Sequence, residues 1–117
     1  MLYRIIDAGD VPSLIRAFMD SYELVAPVEC DQGHIFDTIE DPNDVVLNYS
    51  TTIASPKKYF LPPREVLFKF DVAQNDVDAY ELDVKPRVLF GVHPCDMNAI
   101  EKLDSVFLEG PYPDPYY

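Results

Sequence analysis

The side chains with the widest chemical range lie in one short segment, Val-His-Pro-Cys-Asp at positions 92–96. Here a run of apolar residues ends and a helical pattern begins. Helix N-termini carry free amides and about half a positive charge, which stabilise a thiolate or a bound anion. Because only the thiolate ligates a metal or attacks a substrate, this position favours Cys95 as a metal ligand. His93 could ligate a metal or transfer a proton. The structural alternative makes Cys95 a small buried filler and His93 a hydrogen-bonded strand end.

A second candidate segment carries positive charge in an otherwise acidic chain. Its members are Lys57, Lys58, Arg64 and Lys69, with the aromatic residues Tyr59 and Phe60 between them. Such a cluster could bind an anionic cofactor or the acidic rim of a partner. The alternative is a loop whose aromatic side chains anchor in the core while its lysines are solvated.

The supply of metal-ligating side chains is small. The cysteines are Cys30 and Cys95, and the histidines are His34 and His93. They cannot form a disulfide framework or a closed zinc site by themselves. Gly91 stands alone, so there is no glycine-rich phosphate loop, and no Ser-His-Asp set can be assembled. Any iron–sulfur site would therefore need ligands from outside this chain.

Two amphipathic helices are expected to position these side chains. Apolar residues at helical spacing predict one helix over 11–22 and another over 97–108. Asp10 and Asp96 are the expected N-caps. The tail after the second helix contains three tyrosines that we expect to pack against a partner or against further polypeptide, namely Tyr112, Tyr116 and Tyr117.

Short strands complete the expected fold. The β-branched and aromatic run at 87–92 predicts a strand that is covered on both faces. Hairpins are predicted where extended patterns flank turn residues, over 23–28 with 34–39 and over 68–72 with 78–84. The sequence thus predicts an α+β fold, which is a small mixed sheet with hairpins and two main helices.

Size and charge exclude several classes of protein. The chain has 117 residues, with 48% hydrophobic and 26% charged residues, which suits one globular domain. Nine Lys and Arg against 21 Asp and Glu give a net charge of −12. This charge repels phosphate backbones and anionic lipid, so nucleic acid and membranes are not expected partners. There is no signal-peptide pattern at the start, and we expect a cytoplasmic protein.

Four blocks of sequence form a recognisable set at 55–63, 88–96, 103–107 and 114–117. Together they resemble the N-terminal region of a family of iron–sulfur electron-transfer subunits. That family includes the beta subunits of cytoplasmic sulfhydrogenases and the A subunit of anaerobic sulfite reductase. The resemblance is strongest over 55–117 and weak before residue 25.

The resemblance carries specific expectations. Family members are longer, and beyond this region they hold two 4Fe-4S clusters in ferredoxin-like cysteine motifs. They pass electrons between a flavin-containing subunit and a catalytic subunit. The resemblance implies that residues 1–117 are a single domain, the N-terminal part of such a subunit without the ferredoxin-like region. It implies that Cys95 ligates or neighbours a cluster, and that this chain alone holds none.

Three functional hypotheses follow. The first is a domain for docking and electron transfer in an anaerobic hydrogenase or sulfite/sulfur reductase-type complex, without activity of its own. Its cofactor-binding residues would be Cys95, His93, Asp96, Lys57 and Lys58, with Cys95 as the metal ligand and no catalytic residue. The second is a flavin- or nucleotide-binding domain with its site at the strand–helix turn between Arg87 and Asp96. The third is an acidic interaction module without a cofactor.

Overall fold

The structure is a computed structural model that describes residues 4–74, 76–79, 85–115 and 117. Its helices are α1 (Val11–Met19) and α2 (Pro94–Phe107). Its strands are β1 (Glu23–Cys30), β2 (Gly33–Thr38), β3 (Phe68–Asp71), β4 (Asp76–Ala79) and β5 (Arg87–Leu89). Short 3₁₀ turns lie at Ala8–Asp10, Pro42–Asp44 and Pro56–Tyr59. This set of elements confirms the predicted α+β class.

The main sheet has three strands in the order β2-β1-β5. β1 pairs with β2 in an antiparallel hairpin and with β5 in parallel, so the sheet is mixed as predicted. The hairpin turns at Asp31 and Gln32, and Gly33 has the positive φ of 136° that the turn requires. Cys30 is the last residue of β1 and pairs with Gly33.

Pro27 lies buried inside the central strand β1. The ladder tolerates it because β5 pairs with β1 only as far as Val25. The carbonyl of Pro27 accepts a hydrogen bond from the amide of Val46, 2.8 Å away, on the same side of the strand. Pro27 lies beyond the end of β5, so no strand at this position needs an N–H from it, and its lack of an N–H removes no hydrogen bond of the sheet.

Side chains from alternate positions of β1 fill two apolar clusters on opposite faces of the sheet. Leu24 and Ala26 pack with Ile15 of α1 on one face. Val25 packs with Phe36 and Tyr49 on the other. In β5, Val88 joins the first cluster and Leu89 the second, and both side chains are half-buried. The prediction of a strand covered on both faces is thus correct for the centre of β5.

Both helices differ from their predicted bounds. α1 ends at Met19, three residues before the predicted end at residue 22. After this helix the amides of Ser21 and Tyr22 both donate to the carbonyl of Phe18. α2 begins at Pro94 rather than at residue 97, because proline is tolerated at the first helical position. His93 is consequently the N-cap residue, and the prediction that Asp96 caps the helix is wrong.

The second hairpin, β3 with β4, pairs Phe68 with Ala79 and Asp71 with Asp76. β3 agrees with the predicted 68–72. β4 begins two residues before the predicted 78, and residues 80–84 of that prediction lie outside the described part of the chain. Every residue of β3 is exposed to solvent, so this strand contributes nothing to the two apolar clusters. Across the described residues, no helix has both the length and the hydropathy to cross a membrane.

Candidate functional site

The predicted chemical segment forms the first turn of α2. His93 is the extended N-cap residue, and its carbonyl accepts the amides of Asp96 and Met97 at 3.0 Å. Cys95 lies inside the first helical turn, not before the helix as the sequence suggested. Its side chain is exposed and is not in a disulfide. The alternative in which Cys95 fills space in the core is therefore wrong, and its thiol is open to solvent at the positive end of α2.

His93 is held by an aromatic neighbour that the sequence analysis did not identify. The ring of Tyr49 stacks on the imidazole of His93 with centroids 4.2 Å apart and planes 8° from parallel. The Tyr49 hydroxyl donates to the carbonyl of Gly91 at 2.8 Å. One tyrosine thus fixes both the end of β5 and the N-cap of α2. No sequence signal marked Tyr49, since it lies in an irregular segment 44 positions before His93.

Tyr49 stays a hydrogen-bond donor over a wide pH range. Burial raises the pKa of its hydroxyl, and the nearby acidic groups of Asp96 and Cys95 raise it further. Gly91 itself has a φ of 75°, and a Cβ at this position would lie 3.3 Å from the Pro27 side chain. Glycine is therefore required here by backbone conformation and by protein packing, rather than by the approach of a phosphate group.

A hydrogen bond between Ser55 and Asp96 joins the two predicted binding segments. The Ser55 hydroxyl donates to Oδ1 of Asp96 at 2.8 Å and accepts the amide of Lys57 at 3.4 Å. Ser55 precedes the 3₁₀ turn that carries Lys57 and Lys58, so this turn is tied to the first turn of α2. The side chain of Lys57 is half-buried and that of Lys58 is exposed. Asp96 thus links the segments instead of capping its own helix.

Tyr59 anchors the lysine-bearing turn to the main sheet. Its hydroxyl donates to the carbonyl of Phe36 at 3.0 Å, and burial followed by the charge of Asp37 raises its pKa. The Lys58 amine and the Arg87 guanidinium lie 5.0 and 5.1 Å from the centre of its ring, within cation–π range. This arrangement supports the structural alternative for the basic segment, in which aromatic residues anchor the loop.

The C-terminal tail folds back onto α2. Tyr117 stacks on Phe107 with centroids 5.1 Å apart, and its hydroxyl donates to Asp104 at 2.7 Å. Burial, with the hydrogen bond and the charge of Asp104, raises the pKa of Tyr117 to about 12. Tyr117 thus packs within this chain, whereas Tyr112 is 90% exposed and its contact with a partner or further polypeptide stays a prediction. Tyr116 lies outside the described residues.

The described residues do not fit a complete iron–sulfur site. A 4Fe-4S cluster usually takes four cysteine thiolates, and the first turn of α2 offers Cys95 alone. Within the described ranges, no group of three or more His, Cys, Asp or Glu side chains could hold a metal ion. Cys30 is the last residue of β1, in the hairpin with β2. No chemical step through a cluster can therefore be derived from these residues.

Comparison with known proteins gives a clear similarity. Sulfhydrogenase 2 subunit beta of Pyrococcus furiosus is 37% identical over 106 residues, which cover 91% of this chain. The predicted resemblance to the sulfhydrogenase beta subunits is confirmed. The matched region is 30% of the relative, so this chain spans less than a third of that subunit's length. No protein-family model matches the sequence, and no solved structure matches it.

Proposed function

We propose that this chain is the N-terminal domain of an iron–sulfur electron-transfer subunit in an anaerobic, cytoplasmic hydrogenase or sulfite/sulfur reductase-type complex. The observation that carries the proposal is the 37% identity to a sulfhydrogenase beta subunit over 91% of the chain. In this proposal the domain has no activity alone. It docks flavin-containing and catalytic subunits, and the 4Fe-4S clusters are held largely by residues outside it.

The first turn of α2 supplies the local chemistry of the proposal. An exposed thiol lies at the positive end of the α2 dipole, and the neighbouring turn carries Lys57 and Lys58. These positive groups favour an anionic redox centre at this surface. The Asp96 carboxylate offsets part of that charge, and one of its oxygens accepts a hydrogen bond from Ser55. Cys95 is proposed as one ligand or as a close neighbour of the centre.

Net charge supports a docking role. At −12, the chain attracts a basic partner over a distance of several ångströms and orients it before contact. Electron-transfer partners commonly meet over small contact areas and separate readily, so charge complementarity contributes more to encounter rate than to affinity. The proposal therefore expects assembly to weaken as salt concentration rises.

Anaerobic purification of the tagged protein from its source cells tests the proposal. We expect hydrogen-dependent reduction of a viologen dye and the electron paramagnetic resonance signal of reduced 4Fe-4S clusters to co-purify with the tag. Replacement of Cys95 by serine should alter the signal or its reduction potential, whereas Cys30→Ser should not. A tagged protein without associated subunits and without iron would refute the proposal.

A cofactor-free acidic interaction module is the second candidate. It is favoured by the roles of His93 and Asp96, which are engaged in packing against Tyr49 and in bonding to Ser55. Under this candidate, Cys95→Ser leaves the assembled complex unchanged in activity, spectrum and reduction potential. The same purification therefore separates the two candidates.

A further inference from the structure

The tail and the lysine-bearing turn meet through aromatic rings that lie outside the two buried apolar clusters. The ring of Tyr117 contacts two phenylalanines, with its centroid 5.1 Å from that of Phe107 and 5.8 Å from that of Phe60. Phe107 is the last residue of α2, and Phe60 directly follows the 3₁₀ turn that carries Lys57 and Lys58. Tyr117 therefore connects the end of the helix to the end of the turn.

The tail is attached to α2 by polar contacts as well as by the ring stack. The Tyr117 hydroxyl donates to Asp104, and the amide of Asp114 donates to the carbonyl of Phe107, both at 2.7 Å. Asp104 and Phe107 are three positions apart on the helix, so they lie on one face, and Tyr117 contacts both. Because its pKa is raised to about 12, mainly by burial, Tyr117 remains a hydrogen-bond donor at neutral pH. The tail thus has a fixed position on α2.

The lysine-bearing turn is held near both ends of α2. At the first helical turn, the Ser55 hydroxyl donates to Asp96. At the last residue of the helix, the Tyr117 ring links Phe60 to α2. A helix of 14 residues is about 20 Å long, so these two contacts hold the turn at well-separated points. The segment between the contacts carries both lysines.

The Phe60 ring also bears on the backbone at the end of the turn. The carbonyl of Lys57 accepts the amides of Phe60 and Leu61 at 3.0 and 2.9 Å. These bonds hold the backbone where the Phe60 ring reaches Tyr117, so the bonds and the ring contact stabilise each other. Loss of the ring contact should therefore make the bonds open more often. The opening is local, because Tyr59 keeps its own bond to the main sheet.

We propose that Tyr117 is a positioning residue for the lysine-bearing turn. Its contacts with Phe60 and α2 form a latch that holds the turn against the helix, and release of the latch opens the end of the turn while the main sheet stays folded. The latched turn keeps Lys57 and Lys58 beside the first turn of α2. This inference goes beyond the proposed function, since it concerns how the basic segment is held and applies under either candidate function.

Amide hydrogen exchange of the full chain, labelled with ¹⁵N and followed by NMR, tests the latch. Tyr117→Ser removes the ring and its hydrogen bond to Asp104. Exchange of the Phe60 and Leu61 amides should then be roughly tenfold faster or more, the effect expected from losing a packed aromatic pair. Tyr112→Ser is the matched control, because this tyrosine of the same tail is 90% exposed. It should leave both amides at their wild-type rates.

Two further variants separate a latch from a general loss of stability. Ile15→Val shortens a buried side chain of the first apolar cluster and lowers the stability of the whole fold. Because the turn opens locally, this variant should leave exchange of the Phe60 and Leu61 amides unchanged. Tyr117→Phe keeps the stacked ring and loses only the hydrogen bond to Asp104, so it should accelerate exchange less than Tyr117→Ser does.

Limited digestion with trypsin gives a second measurement at the lysines themselves. Trypsin cleaves after Lys57 and Lys58, and the cleavage rate follows the population of the opened segment. Tyr117→Ser should be cut there roughly tenfold faster than wild type or Tyr112→Ser. Equal rates of exchange and cleavage in Tyr117→Ser and wild type would overturn the inference. An equal acceleration by Ile15→Val would overturn it too, since the turn would then open only when the whole fold opens.

Discussion

Replacing Tyr49 by phenylalanine tests how the candidate site is held in place. The change removes one hydroxyl, which donates to the Gly91 carbonyl at 2.8 Å, and it keeps the ring that stacks on His93. A hydrogen bond in such a part-buried position contributes about 1 kcal/mol to the free energy of unfolding. In a domain of this length, about 1 kcal/mol corresponds to a fall of roughly 4 °C in Tm.

Replacing Tyr49 by alanine should cost more, because it also removes the ring. Tyr49 is 8% exposed and packs with Val25 and Phe36, so truncation leaves a cavity in the second apolar cluster. We expect a loss of about 3–4 kcal/mol in the free energy of unfolding. A double-mutant cycle with His93→Ala should show a coupling of about 0.5–1.5 kcal/mol for the stacked pair.

Urea denaturation followed by circular dichroism measures these differences. Tyr112→Phe is the matched control, since that exposed side chain is expected to contribute nothing. The reasoning is refuted if Tyr49→Phe is as stable as wild type, or if Tyr49→Phe and Tyr49→Ala are equally destabilised. A cycle without coupling would show that the stack with His93 does not stabilise the turn.

Four further outcomes are expected. Gly91→Ala should lower the free energy of unfolding by about 1–3 kcal/mol in denaturant titrations, because φ is 75° and the added Cβ would crowd Pro27, whereas Gly9→Ala, in open space, should change little. Exposed Cys95 should react with Ellman's reagent faster than half-buried Cys30. The variant Cys30→Ser retains only Cys95 and the variant Cys95→Ser retains only Cys30, so equal reaction rates in the two variants would contradict this difference in exposure. The pKa of Tyr117 is raised to about 12, so its protonated hydroxyl stabilises the fold fully below pH 10. This stabilisation is lost as the pH rises toward 12. Between pH 9 and 12, the Tm of Tyr117→Phe should therefore fall less steeply than the Tm of the wild type. The ion pair between Arg87 and Glu23 is partly exposed, so Glu23→Gln should change the free energy of unfolding by less than about 1 kcal/mol, and a larger loss would indicate that the pair is effectively buried.

The sequence alone determined the features that depend on neighbouring residues. Helical spacing located both helices, the position of Gly33 located the hairpin turn, and the run before Gly91 located β5. These features follow from local backbone preferences and from the periodicity of apolar residues. The error at the start of α2 has the same local origin, since Pro94 and Asp96 are both acceptable near a helix start and the sequence does not rank them.

Only the tertiary structure decided how the candidate site is assembled. The stack of Tyr49 on His93, the bond from Ser55 to Asp96 and the pairing of β1 with β5 join residues about 40 to 65 positions apart. Such contacts depend on how the sheet brings distant segments together, and local preference carries no information about them. The exposure of the β3–β4 hairpin is of the same kind. Only the fold shows that the described part of this chain leaves the face of Phe68, Phe70 and Val77 open.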